Sequence, residues 1–240
     1  MREFLGALVN NADEVIIVDT GSTDGTLDII KEYERRYPDV IKSYRFASTG
    51  SFHYGIAKNV AISKATGDYV LILDSDEFPE EGFITKLRTF LSNTGSTVAT
   101  LIRKDDRLAY FVETQVRIIK NGLGIFYNEG EEGRLHEALE YVGEPESFAG
   151  IVIHKQGAHH WLNDKAHVLA QMNLEIERTP KTKSFLGHLL RGVWAFQFKF
   201  CKVYFTRRLY RDGVAGLRFA WLKARYAFLV QYYVGLKPCP

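Results

Sequence analysis

The chain has 240 residues, 46% hydrophobic and 25% charged, with a formal net charge of +2 at pH 7. That balance is ordinary for a soluble globular protein with one good core and room for an appendage. Cys201 and Cys239 form no pairing or metal pattern, which suits a reducing compartment, and no apolar run approaches the roughly 20 residues of a spanning helix.

The even charge hides an asymmetry. From Phe185 onward there are ten Lys or Arg against Asp212 alone, a balance of +9, which leaves −7 for the first 184 residues. A basic tail on an acidic body predicts two jobs.

Residues 2–10 have helical spacing, with Phe4, Leu5, Leu8 and Val9 on one side. The apolar run there is too short for a signal peptide. Val15 to Val18 is a buried-type strand that ends in Asp19, followed by the polar loop Thr20-Gly21-Ser22-Thr23-Asp24-Gly25-Thr26. Gly21 and Gly25 permit a tight turn, and Thr23 or Asp24 caps a helix over 27–36. Asp19 is a candidate acceptor for a nucleotide base or ribose; the alternative is plain turn and cap chemistry. The loop lacks the Gly-Lys-Ser/Thr ending of a Walker phosphate loop.

Residues 40–46 read as a short strand and 55–65 as a helix, with Ala57, Ala61 and Ala65 four apart on a close-packed face. Asn59 beside that face is either a core hydrogen-bonder or a ligand contact. Then comes Ala-Thr-Gly-Asp-Tyr-Val-Leu-Ile-Leu-Asp-Ser-Asp-Glu, residues 65–77. Val70 to Leu73 predicts a strand buried on both faces of a parallel sheet. Asp74 and Asp76 follow it, with alternation placing both on one side and Ser75 on the other. Ligands of open α/β sheets bind beyond the carboxyl ends of strands. Two carboxylates there stay charged cheaply only when a cation joins them, and hard cations such as Mg²⁺ or Mn²⁺ bridge carboxylates to substrate phosphates. An Asp-x-Asp standing alone would be read as a turn; the apolar strand before it shifts the reading to a site.

The combination of residues 14–24 (Glu14-Val-Ile-Ile-Val-Asp19-Thr-Gly-Ser-Thr-Asp24), Ala57-Lys58-Asn59, and 67–76 resembles family 2 glycosyltransferases of the GT-A fold. The resemblance implies an α/β, Rossmann-like, mostly parallel sheet flanked by helices. It implies a nucleotide-sugar donor, a divalent metal and an inverting transfer. Asp19 and Gly21 then belong to the donor site with Asn59, Asp74 lies near ribose or metal, and Asp76 is a metal ligand. Members of the family normally begin with a strand and an Asn-Glu-bearing loop before the first helix. The first strand is therefore expected to be missing here, making this an N-terminally truncated form with an incomplete donor site and poor stability on its own.

Further on, a helix is expected to about residue 91, strands over 97–103 and 114–120, the latter carrying Arg117, and a turn at Asn121-Gly122. An irregular stretch leads to Gly133-Arg134-Leu135-His136-Glu137. This His-Glu after a strand with Arg117-Ile-Ile-Lys resembles the subgroup that includes glucosyltransferases of bacterial lipopolysaccharide core assembly. An inverting reaction needs a carboxylate to take the acceptor's proton, and Glu137 is the candidate, with Asp105 or Asp106 in reserve. Residues 150–153 read as a strand ending in His154. A lone His there is usually structural, but the resemblance makes it a third metal ligand, more natural for Mn²⁺ than for Mg²⁺. His159, His160 and Trp161 are acceptor-side candidates only.

A helix over 164–178, with Ala166, Leu169, Met172, Asn173 and Ile176 inward, closes the expected catalytic domain, 1–180. The tail, 181–240, mixes Trp194, Phe196, Phe198, Phe200, Tyr204 and Phe205 with Lys199, Lys202, Arg207 and Arg208. After Asp212-Gly213 it continues as a helix carrying Leu217, Trp221, Ala224 and Phe228. That composition fits an interfacial element lying on a membrane; a hairpin packed on the catalytic domain is the alternative. No recognisable RNA or DNA module accompanies it. The pattern Arg207, Tyr210 to Gly213 and Gly216 again resembles the lipopolysaccharide-core subgroup.

The expectation is thus a metal-dependent glycosyltransferase at the cytoplasmic face of a membrane, acting on a lipid-linked or cell-envelope acceptor. Two readings stand beside it: a non-catalytic membrane-attached binding subunit with the same fold, and a nucleotidyltransferase.

Overall fold

The computed structural model describes residues 1–46, 54–127, 139–155, 172–173, 175–177, 179–180 and 184–237. The fold is α/β, with a sheet flanked by helices. Helix α1 (Arg2–Leu8) buries Phe4, Leu5 and Leu8, and Val9 just beyond it, the face its spacing predicts. Strand β1 (Val15–Asp19) pairs in parallel with β2 (Ile41–Arg45), which places Asp19 opposite Arg45. Helix α2 (Thr26–Arg36) connects them; Gly25 is its N-cap, and the Asp24 carboxylate accepts from the Thr26 N–H at 3.2 Å. Val15, Ile41 and the α1 face form one core cluster, to which Ile29, Tyr33 and Phe78 are added.

Helix α3 (Tyr54–Lys64) buries Gly55, Ala57, Asn59 and Ile62, so the packed set is not the Ala57–Ala61–Ala65 row that simple spacing suggests. The main sheet has five strands in the order β3 (Tyr69–Leu71), β6 (Val112–Lys120), β5 (Val98–Asp105), β9 (Glu146–His154), β4 (Glu77–Pro79). Two short strands, β7 (Phe126–Tyr127) and β8 (Leu139–Glu140), form an antiparallel ribbon.

The stretch expected to be a long parallel strand is an edge strand of three residues. It pairs antiparallel with β6, Val70 opposite Ile119, and the ladder continues one residue further through Ile72 N–H to the Arg117 carbonyl. The chain then turns, because the Glu77 side chain accepts from the Asp74 N–H and the Asp74 carbonyl accepts from the Glu77 N–H. Beyond the turn, β4 crosses to the other edge and pairs antiparallel with β9, Glu77 opposite His154. Pro79 in this strand is tolerated because an edge strand leaves one side of its backbone without a ladder partner. Helix α4 (Phe83–Asn93) packs Phe83 and Leu87 against Leu101, Ile118, Phe148 and Val152.

Packing divides the chain at places other than the expected boundary at 180. One compact unit holds Met1–Arg103 and Glu113–Lys155; the other holds Lys104–Val112 and Gln156–Pro240. The segment 104–112 joins the second unit because Leu108 and Phe111 bury themselves with Leu209 and Ala220.

In the second unit, α5 (Phe185–Cys201) starts at Ser184, whose hydroxyl caps the Gly187 N–H. It passes through a π turn (Lys202–Thr206) and a 3₁₀ turn (Leu209–Asp212) into α6 (Gly213–Leu236). At Gly216 a Cβ would lie 2.0 Å from the Leu209 carbonyl oxygen, so only glycine lets the chain double back here. Ala220, Ala224 and Val234 are fully buried along α6, and so is His188, whose Nδ1 lies 3.2 Å from the Gln231 side-chain oxygen. Of the helix expected over 164–178, Met172 and Ile176 are buried beside Val230 and Val234, while Asn173 is exposed rather than inward. No helix among the described residues is long and apolar enough to cross a membrane.

Candidate active site

The turn between β3 and β4 gathers charge from four elements. Asp74 is held on both oxygens: Lys58 Nζ from α3 lies 2.9 Å from one and Arg117 Nη2 from β6 lies 2.9 Å from the other. Burial works against its ionisation, but Arg117 and Lys58 outweigh it and keep the carboxyl well below the usual carboxylate range. Glu77 is almost wholly buried, its side chain 2% exposed. One of its oxygens takes Arg103 Nε at 2.8 Å and Arg117 Nη2 at 3.2 Å, and the other takes the Asp74 N–H at 3.0 Å. Burial raises the Glu77 pKa and the Asp74 charge adds to that; Arg117 and Arg103 oppose without overcoming it.

Arg117 closes the cluster. Its Nε donates to Gln115 at 2.9 Å, and the two acids hold it charged despite burial. Its Nη1 is buried with no hydrogen-bond partner among the described residues. Arg103 reaches on to Glu113 at 3.3 Å, and Lys58 lies over the Tyr127 ring at 5.2 Å. Three acids and three bases therefore interlock around the turn.

Asp76 is separate from this cluster. Its side chain is 53% exposed, and His154 Nε2 lies 3.1 Å from its carboxylate. The ladder between β4 and β9 sets that pair, since Lys155 N–H donates to the Asp76 carbonyl one step past Glu77 and His154. Lys155 is itself fixed by an ion pair to Glu3 and by the Phe78 ring, 4.2 Å away. His154 Nδ1 is buried and has no hydrogen-bond partner among the described residues.

The two aspartates thus have different partners. A shared cation is the expected partner of two carboxylates so placed. The bases arrive instead from α3 and β6, 16 and 43 positions away, and Asp74 has no oxygen left over from ion pairing. Asp76 and His154 are brought together; among the described residues no group of three or more His, Cys, Asp or Glu side chains forms a metal-sized cluster.

Asp19 lies buried at the end of β1, where its carboxylate accepts from the Gly21 N–H at 3.1 Å and the Ser22 N–H at 3.2 Å. Burial disfavours its charge, but the donors from Ser22 and Gly21 and the nearby Arg45 win, so its pKa is lowered. Gly21, at φ +107°, supplies the backbone this loop needs. Asn59 makes buried hydrogen bonds to the β7 backbone: its side chain donates to the Tyr127 carbonyl at 2.9 Å and accepts from the Tyr127 N–H at 2.7 Å. Asp105 is buried in its own turn, accepting from the Arg107 N–H at 3.0 Å. Glu137, His159, His160 and Trp161 lie outside the described residues.

Neither composition nor spacing marks Glu77, Arg103 or the pairing role of Lys58. A single signal was available: Glu77 directly follows the Asp-x-Asp, a third acid where two already needed compensation.

Among known proteins, the family model for glycosyl transferase family 2 matches residues 1–129. A poly(ribitol-phosphate) beta-glucosyltransferase of Bacillus spizizenii is 38% identical over 83 residues, 32% of this chain and 13% of its own length. A putative teichuronic acid biosynthesis glycosyltransferase, TuaG of Bacillus subtilis, is 42% identical over 64 residues, 27% of this chain and 24% of its own. The chain therefore spans less than a quarter of the length of these relatives. Among solved structures, a mannosyltransferase from Pyrobaculum calidifontis in complex with GDP-Man and Mn²⁺ aligns at a TM-score of 0.49 and 15% identity, covering 98% of this chain and 84% of that one. With more than half of its residues matched by the family model, the chain belongs to glycosyl transferase family 2.

Proposed function

We propose that the chain transfers a sugar from a nucleotide-sugar donor to a hydroxyl of a cell-envelope acceptor, with inversion and with a divalent metal. Family membership supports the reaction class. The similar proteins named above, a poly(ribitol-phosphate) beta-glucosyltransferase and a putative teichuronic acid biosynthesis glycosyltransferase, support the acceptor class. The narrower acceptor, lipopolysaccharide core, rests on the resemblance around Arg117 and Arg207 to Gly216. The observation that carries the reading is the Asp76–His154 pair, an exposed carboxylate and an imidazole 3.1 Å apart beside a partly buried cluster whose acids are paired with bases.

The residues present fit a metal of this kind. One exposed carboxylate and one imidazole, whose Nε2 faces it at 3.1 Å, would supply part of an oxygen and nitrogen shell and leave the rest to substrate phosphates. Asp76 and His154 would hold the ion, and Asp74, with Lys58 and Arg117 on its oxygens, would not. When bound, the ion offsets the charge of the departing diphosphate.

In the reaction the acceptor oxygen bonds to the anomeric carbon while the bond from that carbon to the diphosphate breaks. The acceptor's proton passes to Glu137, and nucleoside diphosphate leaves. Asp19, with its carboxylate held ionised, accepts from the base or ribose. Glu77, Arg103 and Arg117 hold the turn that presents Asp76. The basic hairpin keeps the chain at the cytoplasmic face of a membrane, where lipid-linked acceptors reside.

A panel of nucleotide-sugars is incubated with acceptor and Mn²⁺ or Mg²⁺, with and without excess chelator. Release of nucleoside diphosphate with sugar transfer, lost in chelator, is expected. Pyrophosphate release would assign a nucleotidyltransferase instead, and no turnover with any donor would assign a binding subunit.

A further inference from the structure

The helical hairpin contains a feature that surface attachment does not use. Between α5 and α6 runs a cleft of about 610 Å³, lined by Phe196, Phe200, Leu217, Trp221 and Leu222, with Arg218 as its one charged wall. That volume lies within the range of about 300–1,000 Å³ that small-molecule sites occupy. We propose that this cleft seats one acyl chain of an anionic phospholipid, with Arg218 on the headgroup phosphate. The inference rests on the membrane reading above and adds a stoichiometric site to it.

Three observations favour this occupant. First, an apolar slot with a single cation at its wall matches the chemistry of an amphiphile with a negative head. Among the described residues Arg218 has no acidic partner, and the only acid from residue 185 on is Asp212, whose carboxylate accepts from the Tyr110 N–H at 3.0 Å. Second, the rim is arranged as a polar and apolar boundary. Arg225 lies over the Trp221 ring at 5.5 Å and Lys202 over the Phe198 ring at 5.9 Å, while Trp194 stacks on Phe198 at 5.1 Å with 64% of its surface exposed. Third, the segment's +9 balance opposes a second copy of the same face, because like charges would meet across such an interface.

The test uses the full chain and dihexanoylphosphatidylglycerol kept below its micellar concentration. Calorimetry and tryptophan emission should report one saturable site with a negative heat-capacity change. The phosphatidylcholine of equal chain length should bind at least about tenfold more weakly. Leu217→Trp, at a position already 45% exposed, fills the cleft without burying anything new, and should weaken binding by about tenfold or more. Arg218→Gln should weaken it by about fivefold, the worth of one basic side chain against an anionic lipid. Circular dichroism checks that both variants fold.

Flotation on anionic vesicles runs in parallel. Flotation that persists in Leu217→Trp while monomeric lipid fails to saturate overturns the cleft and leaves the surface reading standing. Saturable monomer binding without flotation overturns the surface reading and keeps the cleft. Uptake that ignores headgroup charge and both substitutions overturns the inference as mere partitioning. Self-association that Leu217→Trp abolishes, with no lipid bound, assigns the cleft to a second copy and overturns it as well.

Discussion

The cluster around Asp74 and the hairpin formed by α5 and α6 both set charged groups against apolar side chains, and they do so in opposite ways. Around Asp74, three acids and three bases from α3, β4, β5, β6 and the turn satisfy one another inside the unit that contains them. On the hairpin, cations lie over exposed aromatic rings and one acid serves the whole segment. Charge that is internally compensated fixes a geometry; charge that is left over recruits a partner. Salt should separate the two directly. Exposed charges are screened over roughly 10 Å at 0.1 M ionic strength, whereas buried pairs are screened much less.

The largest effect on turnover is expected at Asp76, an acid beside the network and outside it. Asp76→Asn should lower transfer by about 10²–10³-fold, the usual cost of removing one group that stabilises developing charge. It should leave the melting temperature almost unchanged, because Asp76 is half exposed and, among the described residues, its side chain pairs with His154 alone. Steady-state turnover and thermal melts on the same preparation check it. A large loss of stability would place Asp76 inside the network after all.

Next comes the network itself. Arg117→Met keeps much of the side-chain volume but strips a buried cation from Asp74 and Glu77. Breaking a buried pair in this way costs about 3–5 kcal/mol. Urea denaturation should show that loss with an unchanged slope, and the loss should be nearly the same at low and high salt. A change below about 1 kcal/mol would class Arg117 with surface pairs, which are worth that little.

This network also marks the limit of what the sequence made legible. The α1 face, β1, α2, the helix ahead of β3 and the helical tail follow from local apolar spacing, so they could be read in place. Strand β4 could not, since Glu77, Phe78 and Pro79 have the composition of a loop and become a strand only through pairing with β9. Glu77 owes its role to Arg103 and Arg117, 26 and 40 positions away, and no local pattern carries that information. The Asp76–His154 pair spans 78 positions, and only the resemblance to a family suggested it. Asn59 was ambiguous for the same reason: its partner is a backbone 68 positions away.

For the hairpin the expected effect is smaller per residue and strongly dependent on salt. Replacing Lys199, Lys202 and Arg225 together by Gln removes three exposed cations that do not line the cleft. Partition onto anionic vesicles should fall, at about 1 kcal/mol for each charge near the surface. Most of the difference from the unaltered chain should vanish at about 1 M salt, where the screening length is near 3 Å. Flotation at two ionic strengths measures this. A salt-independent loss would mean that the substitutions act through packing, and the contrast with the Asp74 cluster would fail.

The smallest effect concerns the edge of the first region, where charge is only partly enclosed. The Glu14 carboxylate accepts from Lys42 Nζ at 2.7 Å, and from the Thr66 N–H at 2.8 Å and hydroxyl at 3.1 Å, tying β1, β2 and the turn before β3 together. Burial works against its charge, but Lys42 and Thr66 prevail and its pKa is lowered. The lowered folded value fixes the sign. Below its ordinary pKa of about 4.3 the unfolded chain binds the proton more readily than the folded one. Stability contributed by Glu14 is therefore fully present above that value and is lost as pH falls through the folded pKa. Asp19, lowered by the donors of its own loop, acts in the same direction from about 3.9 downward. Glu14→Gln should cost roughly 0.5–1.5 kcal/mol near pH 7, the net worth of an ordinary hydrogen bond. The gap between variant and unaltered chain should narrow toward pH 3, as the carboxylate protonates and comes to resemble the amide. Thermal melts at pH 7, 5, 4 and 3 follow that gap. If it is as wide at pH 3 as at pH 7, shape rather than charge ties β1 to β2, and the internally compensated part of the molecule ends at Asp74.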